Sequence, residues 1–269
     1  MARAIERLGA LQAQWSPAPY VALWSRLEGF RISQLERALA QKRVVKATLM
    51  RSTLHLASSA DYPIFAAAIV DARPAMVERL GLVHLPPSGT YSFHRGAHFI
   101  PYEAWVGAAP VVPPEPMRHL VRRYLAAFGP ATIDDMASWI GVPTPAIRAV
   151  LEEAPRTFRD EAGRLLHDVA RAPLPSADTP APARLLPKWD SSLLAYAPPE
   201  RARILPDRYR KQVIAPNGDV AQTLLVDGFV AGTWKVEKKR LQVESFTRLP
   251  KAVRDELEAE GERLLAFLP

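Results

Sequence analysis

Few residues in this chain have the type and spacing for chemistry. Gln12 and Gln14 flank Ala13 near the end of the first amphipathic stretch. A carboxamide donates through nitrogen and accepts through oxygen, but it is too weak a base to take a proton outright. On type alone the pair reads as two solvent-facing amides. His94 and His98 are four apart and could share a helical face, but Gly96 lies between them and no third ligand follows, so no metal site is expected. The carboxylate pairs Asp134-Asp135 and Glu152-Glu153 sit where helix ends favour negative charge, and are expected on solvated faces. Asp190 closes the apolar run from Leu185 to Trp189. A carboxylate there is either hydrogen-bonded for structure or part of a site, and the structural role is the expectation. Basic clusters occur at Arg118, Arg122 and Arg123, at Arg208, Arg210 and Lys211 around Tyr209, and at Lys235, Lys238, Lys239 and Arg240 after Trp234. Such clusters can neutralise phosphates, although each alone reads as a solvated face.

Composition narrows the classes further. A net charge of +7 and a sequence pI near 9.8 permit a polyanionic partner without requiring one. The chain has no cysteine, which excludes disulfides, thiolate nucleophiles and cysteine-held zinc or iron–sulfur sites. The patterns GxxxxGK[ST], GxGxxG after a strand, GxSxG and HExxH are all missing, so nucleotide hydrolysis, dinucleotide redox, α/β-hydrolase and zincin chemistry lose their usual signals. No cofactor is expected. Apolar runs such as Phe65 to Val70 are too short to span a bilayer, and charged residues precede any apolar run at the N-terminus. The expectation is a cytoplasmic monomer without a membrane segment.

The elements that must position these residues can be read from periodicity and punctuation. Residues 2 to about 14 read as a helix, broken by the prolines at 17 and 19, and Tyr20 to Leu27 as a second. Ser33 is placed to cap a short helix through Leu39, with Glu36 three residues on. Val44 to Ala57 reads as a strand pair or wing, and a helix starting at Ser59 or Asp61 should run toward Leu80. Leu82–Leu85 and Thr90–Phe93 flank a Pro-Pro-Ser-Gly turn and read as a hairpin. From Glu115 the pattern is helix (Met117 to Phe128), short helix capped by Thr132, short helix opened by Thr144-Pro145, and a hairpin turning at Asp160–Gly163. That order fits a helix-turn-helix with a β-wing, and equally a generic helical subdomain followed by a hairpin. If a wing module, Arg148 lies on its recognition helix. Residues 172–187 read as a proline-rich linker. Asn217-Gly218 and Asp227-Gly228 mark two hairpins, Gln242 to Phe246 adds a strand, and Lys251 to Phe267 is a terminal helix.

Several stretches together resemble one family. Arg7–Gln14 with Tyr20–Arg26, Met50–Leu56, Tyr124–Thr132, Leu186–Asp190 with Leu193–Tyr196, and Leu225–Gly228 with Ala231–Trp234 are similar, in order, to AlkZ-like winged-helix DNA glycosylases. The resemblance spans most of the chain. It implies an α+β fold of tandem winged-helix modules, followed by a small antiparallel, barrel-like β-domain and a C-terminal helix, arranged around a channel for duplex DNA. It also implies excision of alkylated or crosslinked bases at a Q-x-Q motif, here Gln12 and Gln14, on a segment extended at least by Gln14. Arg51, in the stretch similar to the first wing, joins Arg148, Arg210 and Lys211 as expected DNA contacts. Against the family, the sequence starts almost at the motif and lacks the helices expected ahead of the middle wing. The expected units are 1–80 (a partial first winged helix), 81–114 (wing and connector), 115–171 (a winged helix) and 184–269 (the β-domain). The alternatives are a non-catalytic DNA-binding relative and an interaction protein using the β-domain.

Overall fold

The computed structural model describes residues 1–72, 81–93, 96–151 and 156–269. His94 and the pair Glu152-Glu153 lie outside them. The fold is α+β with antiparallel sheets. Its first helix, α1 (Ala2–Arg7), ends well short of residue 14. Gly9 then turns the chain at φ +73°, and Leu11–Gln12 is strand β1. Helices α2 (Ala18–Trp24) and α3 (Ile32–Ala40) follow. The cap of α3 lies two residues before Ser33: the Arg31 N–H donates to Gln34 Oε1 at 2.9 Å.

Strands β2 (Val44–Thr48) and β3 (Leu54–Ser58) form the expected pair, and α4 (Tyr62–Ile69) begins after Asp61. The remainder of the helix expected toward Leu80 falls largely outside the described residues. Strand β4 (Leu82–His84) pairs with β5 (Phe99–Pro101), not with Thr90–Phe93, which lies in turns. The Pro-Pro-Ser-Gly segment therefore opens a longer excursion. Because β4 also pairs with β2, the segment from 81 joins the sheet of the first 58 residues, in the order β1-β3-β2-β4-β5.

Strands β1 to β4 are largely buried on both faces, whereas Phe99 of β5 is exposed. Val45, Ala47, Ala57 and Val83 face a core with Phe65, Tyr124 and Trp139. Leu11, Ala13, Val44 and Leu56 face a second core with Tyr20, Leu35 and Leu39. Lys46 and His84 are buried neighbours across β2 and β4. Burial, then the adjacent Lys46 charge, pushes His84 down to about 4.

After α5 (Tyr102–Val106) comes the region best foreseen: α6 (Pro116–Phe128), α7 (Ile133–Ile140), α8 (Thr144–Leu151) and the hairpin β6 (Arg156–Arg159) with β7 (Leu165–Asp168). Thr132 and Asp135 cap α7 reciprocally, at 2.9 and 3.1 Å. Asp135 is fully buried, contrary to expectation, because its other oxygen accepts the Ala197 N–H at 2.8 Å. Arg123 likewise turns inward and pairs with the buried Asp61 at 3.0 Å, beside His119. Of that basic cluster, Arg118 pairs with Glu115, leaving Arg122 exposed.

The C-terminal sheet orders β8 (Arg184–Leu186), β9 (Thr223–Val226), β10 (Phe229–Glu237) and β11 (Arg240–Ser245) as β11-β10-β9-β8. The expected linker thus ends in a strand. Asn217-Gly218 does form a turn, but it closes only the single bridge Ile214↔Val220. Helix α11 (Lys251–Phe267) packs Leu257 and Leu264 on this sheet with Val21 of α2, and Phe267 stacks on Trp24. Asp190 has the structural role expected of it. It caps α9 (Ser191–Leu194) and accepts both arms of the Arg26 fork at 2.7 and 3.0 Å, with its side chain wholly buried.

Two outcomes follow from these buried charges. Asp190→Ala strands Arg26 and should lower the unfolding free energy by about 3–5 kcal/mol in urea titration; a loss near zero refutes the latch. His84 binds its proton more weakly folded than at its ordinary 6.5. Stability should therefore be complete above that value, fall as pH drops from there toward 4, and level off below. His84→Asn should flatten that slope in melts across the window.

Candidate active site

The glutamine pair is built by two residues of strand. Leu11 pairs with Leu56 and Gln12 with His55, and the Ala13 N–H donates to Leu54 O at 2.7 Å. Strand alternation sends Leu11 and Ala13 into one core and Gln12 and Gln14 to the opposite face. Both glutamines, not Gln14 alone, lie past the helix end. Gln12 is 8% exposed and Gln14 is open to solvent.

Their carboxamides are oriented by donors that cannot accept. Arg51 Nη2 donates to Gln12 Oε1 at 3.2 Å. The Leu54 N–H donates to Gln14 Oε1 at 3.3 Å. A guanidinium and a peptide N–H have only hydrogens to offer, so each Oε1 faces the protein and each NH2 group is turned away. Each oxygen keeps one further lone pair.

Arg51 is itself held. It sits at φ +55° in the β2–β3 loop, and its Nη1 donates to the Trp139 carbonyl. That carbonyl belongs to the last turn of α7, where intrahelical donors run out and the helix dipole favours a cation. The loop can approach because residue 141 is glycine: a Cβ there would lie 3.0 Å from the Arg51 nitrogen. Trp139 also presses its indole on Gly9, whose Cβ would lie 3.3 Å from the ring. One residue of α7 thus sets both the turn before β1 and the cation beside it.

Positive charge extends outward from this point. Burial, and secondly the charge of Arg201, draws Arg51 down to about 10, so it remains a cation at neutral pH. Burial, then the charge of Arg210, lowers Arg201 in turn. Arg210 and Lys211 are exposed on the short helix α10 (Arg210–Val213), and Arg148 is exposed on α8. None of these three has an ion-pair partner among the described residues. A cavity of about 550 Å³ gathers Lys211 with Lys188 and Lys235, of which Lys188 pairs with Asp219 at 2.8 Å and Lys235 with Glu237 at 2.7 Å. A neighbouring one of about 450 Å³ adds Trp15, Tyr91, Lys238 and Lys239. Two basic clusters separate in sequence are therefore brought together, whereas Arg148 stands apart on another element. The turn Lys238-Lys239 escaped the sequence reading because both residues are left-handed without glycine or asparagine to signal it. Among the described residues, no group of three His, Asp or Glu side chains could hold a metal ion, and no helix is long and apolar enough to cross a membrane.

A protein-family model described as DNA glycosylase AlkZ-like matches residues 5–81 and 71–267. The chain belongs to this family. Among solved structures, the DNA glycosylase AlkZ of Streptomyces sahachiroi superposes with a TM-score of 0.80 at 20% identity, over 99% of this chain and 90% of that one. At that identity the likeness is one of fold. No curated protein matches in sequence. Within the family fold, the glutamine strand depends on a left-handed glycine against a tryptophan. Gly9→Ala adds both backbone strain and a close contact, and should cost about 1–2 kcal/mol or more; an unchanged thermal midpoint would refute the constraint.

Proposed function

We propose that this chain binds duplex DNA and releases alkylated bases as a monofunctional glycosylase, with Gln12 and Gln14 placing the attacking water. The observation that carries the reading is the pair itself: two carboxamides on one face of a strand, oriented by fixed donors, beside a guanidinium. Alkylation at a purine ring nitrogen makes the base cationic. As its bond to C1′ breaks, the electron pair neutralises the departing base, so little acid catalysis is needed. Water then bonds to C1′ and its proton passes to solvent. What the protein must supply is orientation, and a preorganised polar wall provides it. The second lone pair of each Oε1 suits a water O–H, and the outward NH2 groups suit acceptors on the nucleotide.

The architecture proposed with this activity has residues 115–171 as a winged helix, supported by the order α6, α7, α8, β6, β7. Residues 1–80 and 81–114 form a partial winged-helix region and a wing with its connector, and 184–269 a barrel-like β-domain. Arg148 would contact DNA from the recognition helix, and Arg210 and Lys211 would follow the backbone. The protein is taken to act as a cytoplasmic monomer. A second reading, a non-catalytic DNA-binding relative, draws on the burial of Gln12, which leaves little of it open to a substrate.

Release of modified bases from methylated and from bulky-alkylated duplexes separates the two. Gln12→Ala/Gln14→Ala should lose on the order of a hundredfold or more in release, with DNA affinity retained. Absence of release by the unaltered protein, with binding weakened by Arg148→Ala, would establish the second reading instead.

A further inference from the structure

The sequence places Arg51 among the DNA contacts, but its hydrogen bonds point elsewhere. Nη2 is on Gln12 Oε1 at 3.2 Å and Nη1 on the Trp139 carbonyl. We infer that Arg51 is a positioning residue for base release: clamped between α7 and the glutamine strand, it fixes which edge of the Gln12 carboxamide faces the substrate. This rests on the glycosylase reading above.

A glutamine amide has two orientations that differ by a half-turn about its last bond, and they exchange donor for acceptor. Only a partner of one polarity separates them. Gln14 has a peptide N–H from its own sheet for this purpose. Among the described residues Gln12 has only Arg51, which reaches it from the β2–β3 loop. The guanidinium is suited to the task because its planar fork can satisfy two acceptors at once with little freedom of its own. A lysine ammonium offers no such plane. The loop accepts a cost to hold it there: Arg51 and Ser52 are consecutive left-handed residues, at φ +55° and +54°, neither of them glycine. Gly141 gives the room. The carbonyl that holds the second arm lies on the helix preceding α8, which carries Arg148. The orientation of Gln12 is therefore tied to the same helical unit proposed to meet DNA.

The test is a double-mutant cycle on single-turnover base release, with DNA affinity and thermal melts measured in parallel. Arg51→Met keeps the stem and removes the fork; Arg51→Lys keeps the charge. Both should lower the rate of the chemical step roughly ten- to a hundredfold, with the dissociation constant for DNA within about twofold. In the Gln12→Ala background, Arg51→Met should cost nothing further, because Arg51 acts through that amide. Added methylguanidinium should restore part of the rate to Arg51→Ala but not to Arg51→Ala/Gln12→Ala. Equal losses in both backgrounds, or a loss confined to DNA affinity, would overturn the inference and make Arg51 a structural or phosphate-binding residue. Equal losses caused by unfolding would show as a melt midpoint below the assay temperature, and Arg51→Lys then carries the test. An unaltered protein that releases no base defeats the glycosylase reading, and the inference with it. An active protein with additive losses defeats the inference alone.

Discussion

The pairing of Leu11–Gln12 onto β3 is the constraint from which the site follows. Two residues of ladder are a weak attachment by themselves, and the isolated segment would not hold it. It persists because both faces of that strand are spoken for. Leu11 and Ala13 fill the core under α2 and α3, and a slip of one residue would drive them out and bring the amides in. Register is thus enforced by the hydrophobic face, and the polar face inherits its geometry. Trp139 adds a second control from above the turn at Gly9. The proposed catalytic motif needs rigid support, and that support is the packing of residues that do no chemistry.

Charge is divided between two uses. Asp61, Asp135 and Asp190 are buried and each is answered by a cation, a helix end or a peptide N–H. These groups hold elements together across long stretches of chain. Arg51, Arg201 and Arg210 form the opposite case, a row of like charges leading from the glutamines toward the surface. Folding alone gives no reason to set guanidinium groups near one another. The duplex proposed as partner would supply that reason, and the exposed Lys211 beside Arg210 fits the same proposal.

Much of this was legible where structure is locally determined. Helices α6 to α8 announce themselves through periodicity, a Thr132 cap, a Gly141 stop and a proline at the start of α8. The hairpin at Asp227-Gly228 is written in its turn, and α11 falls where its pattern ends. The failures share one cause: each depends on residues far away. Gly9 is the local stop signal for the first helix, but its apolar spacing runs on to Leu11, and the indole packed on that glycine is 130 residues on. Asp135 looks like an ordinary helix-end carboxylate until the Ala197 N–H arrives to bury it. The turn at Pro86–Gly89 pointed to Thr90–Phe93 as the partner of β4, whereas the strand that pairs with it, Phe99–Pro101, lies beyond that signal. The glutamines themselves were legible as a site only through the resemblance, since their types and spacing are ordinary. Their orienting donors, Arg51 and the Leu54 N–H, come from a neighbouring loop and strand that no local pattern points to.

The Arg26–Asp190 pair joins positions 164 apart in sequence. During synthesis β1, β2 and β3 can pair as soon as β3 has emerged, placing the glutamine strand. Arg26 must then wait, its charge against a half-built surface, until more than half of the remaining chain has left the ribosome. Closing so long a loop is slow compared with forming local helices. The interval leaves the α2 surface around Val21 and Trp24 uncovered, since α11 arrives later still. The nascent protein therefore spends its most aggregation-prone period with the glutamine strand already paired and its final covering helix not yet made.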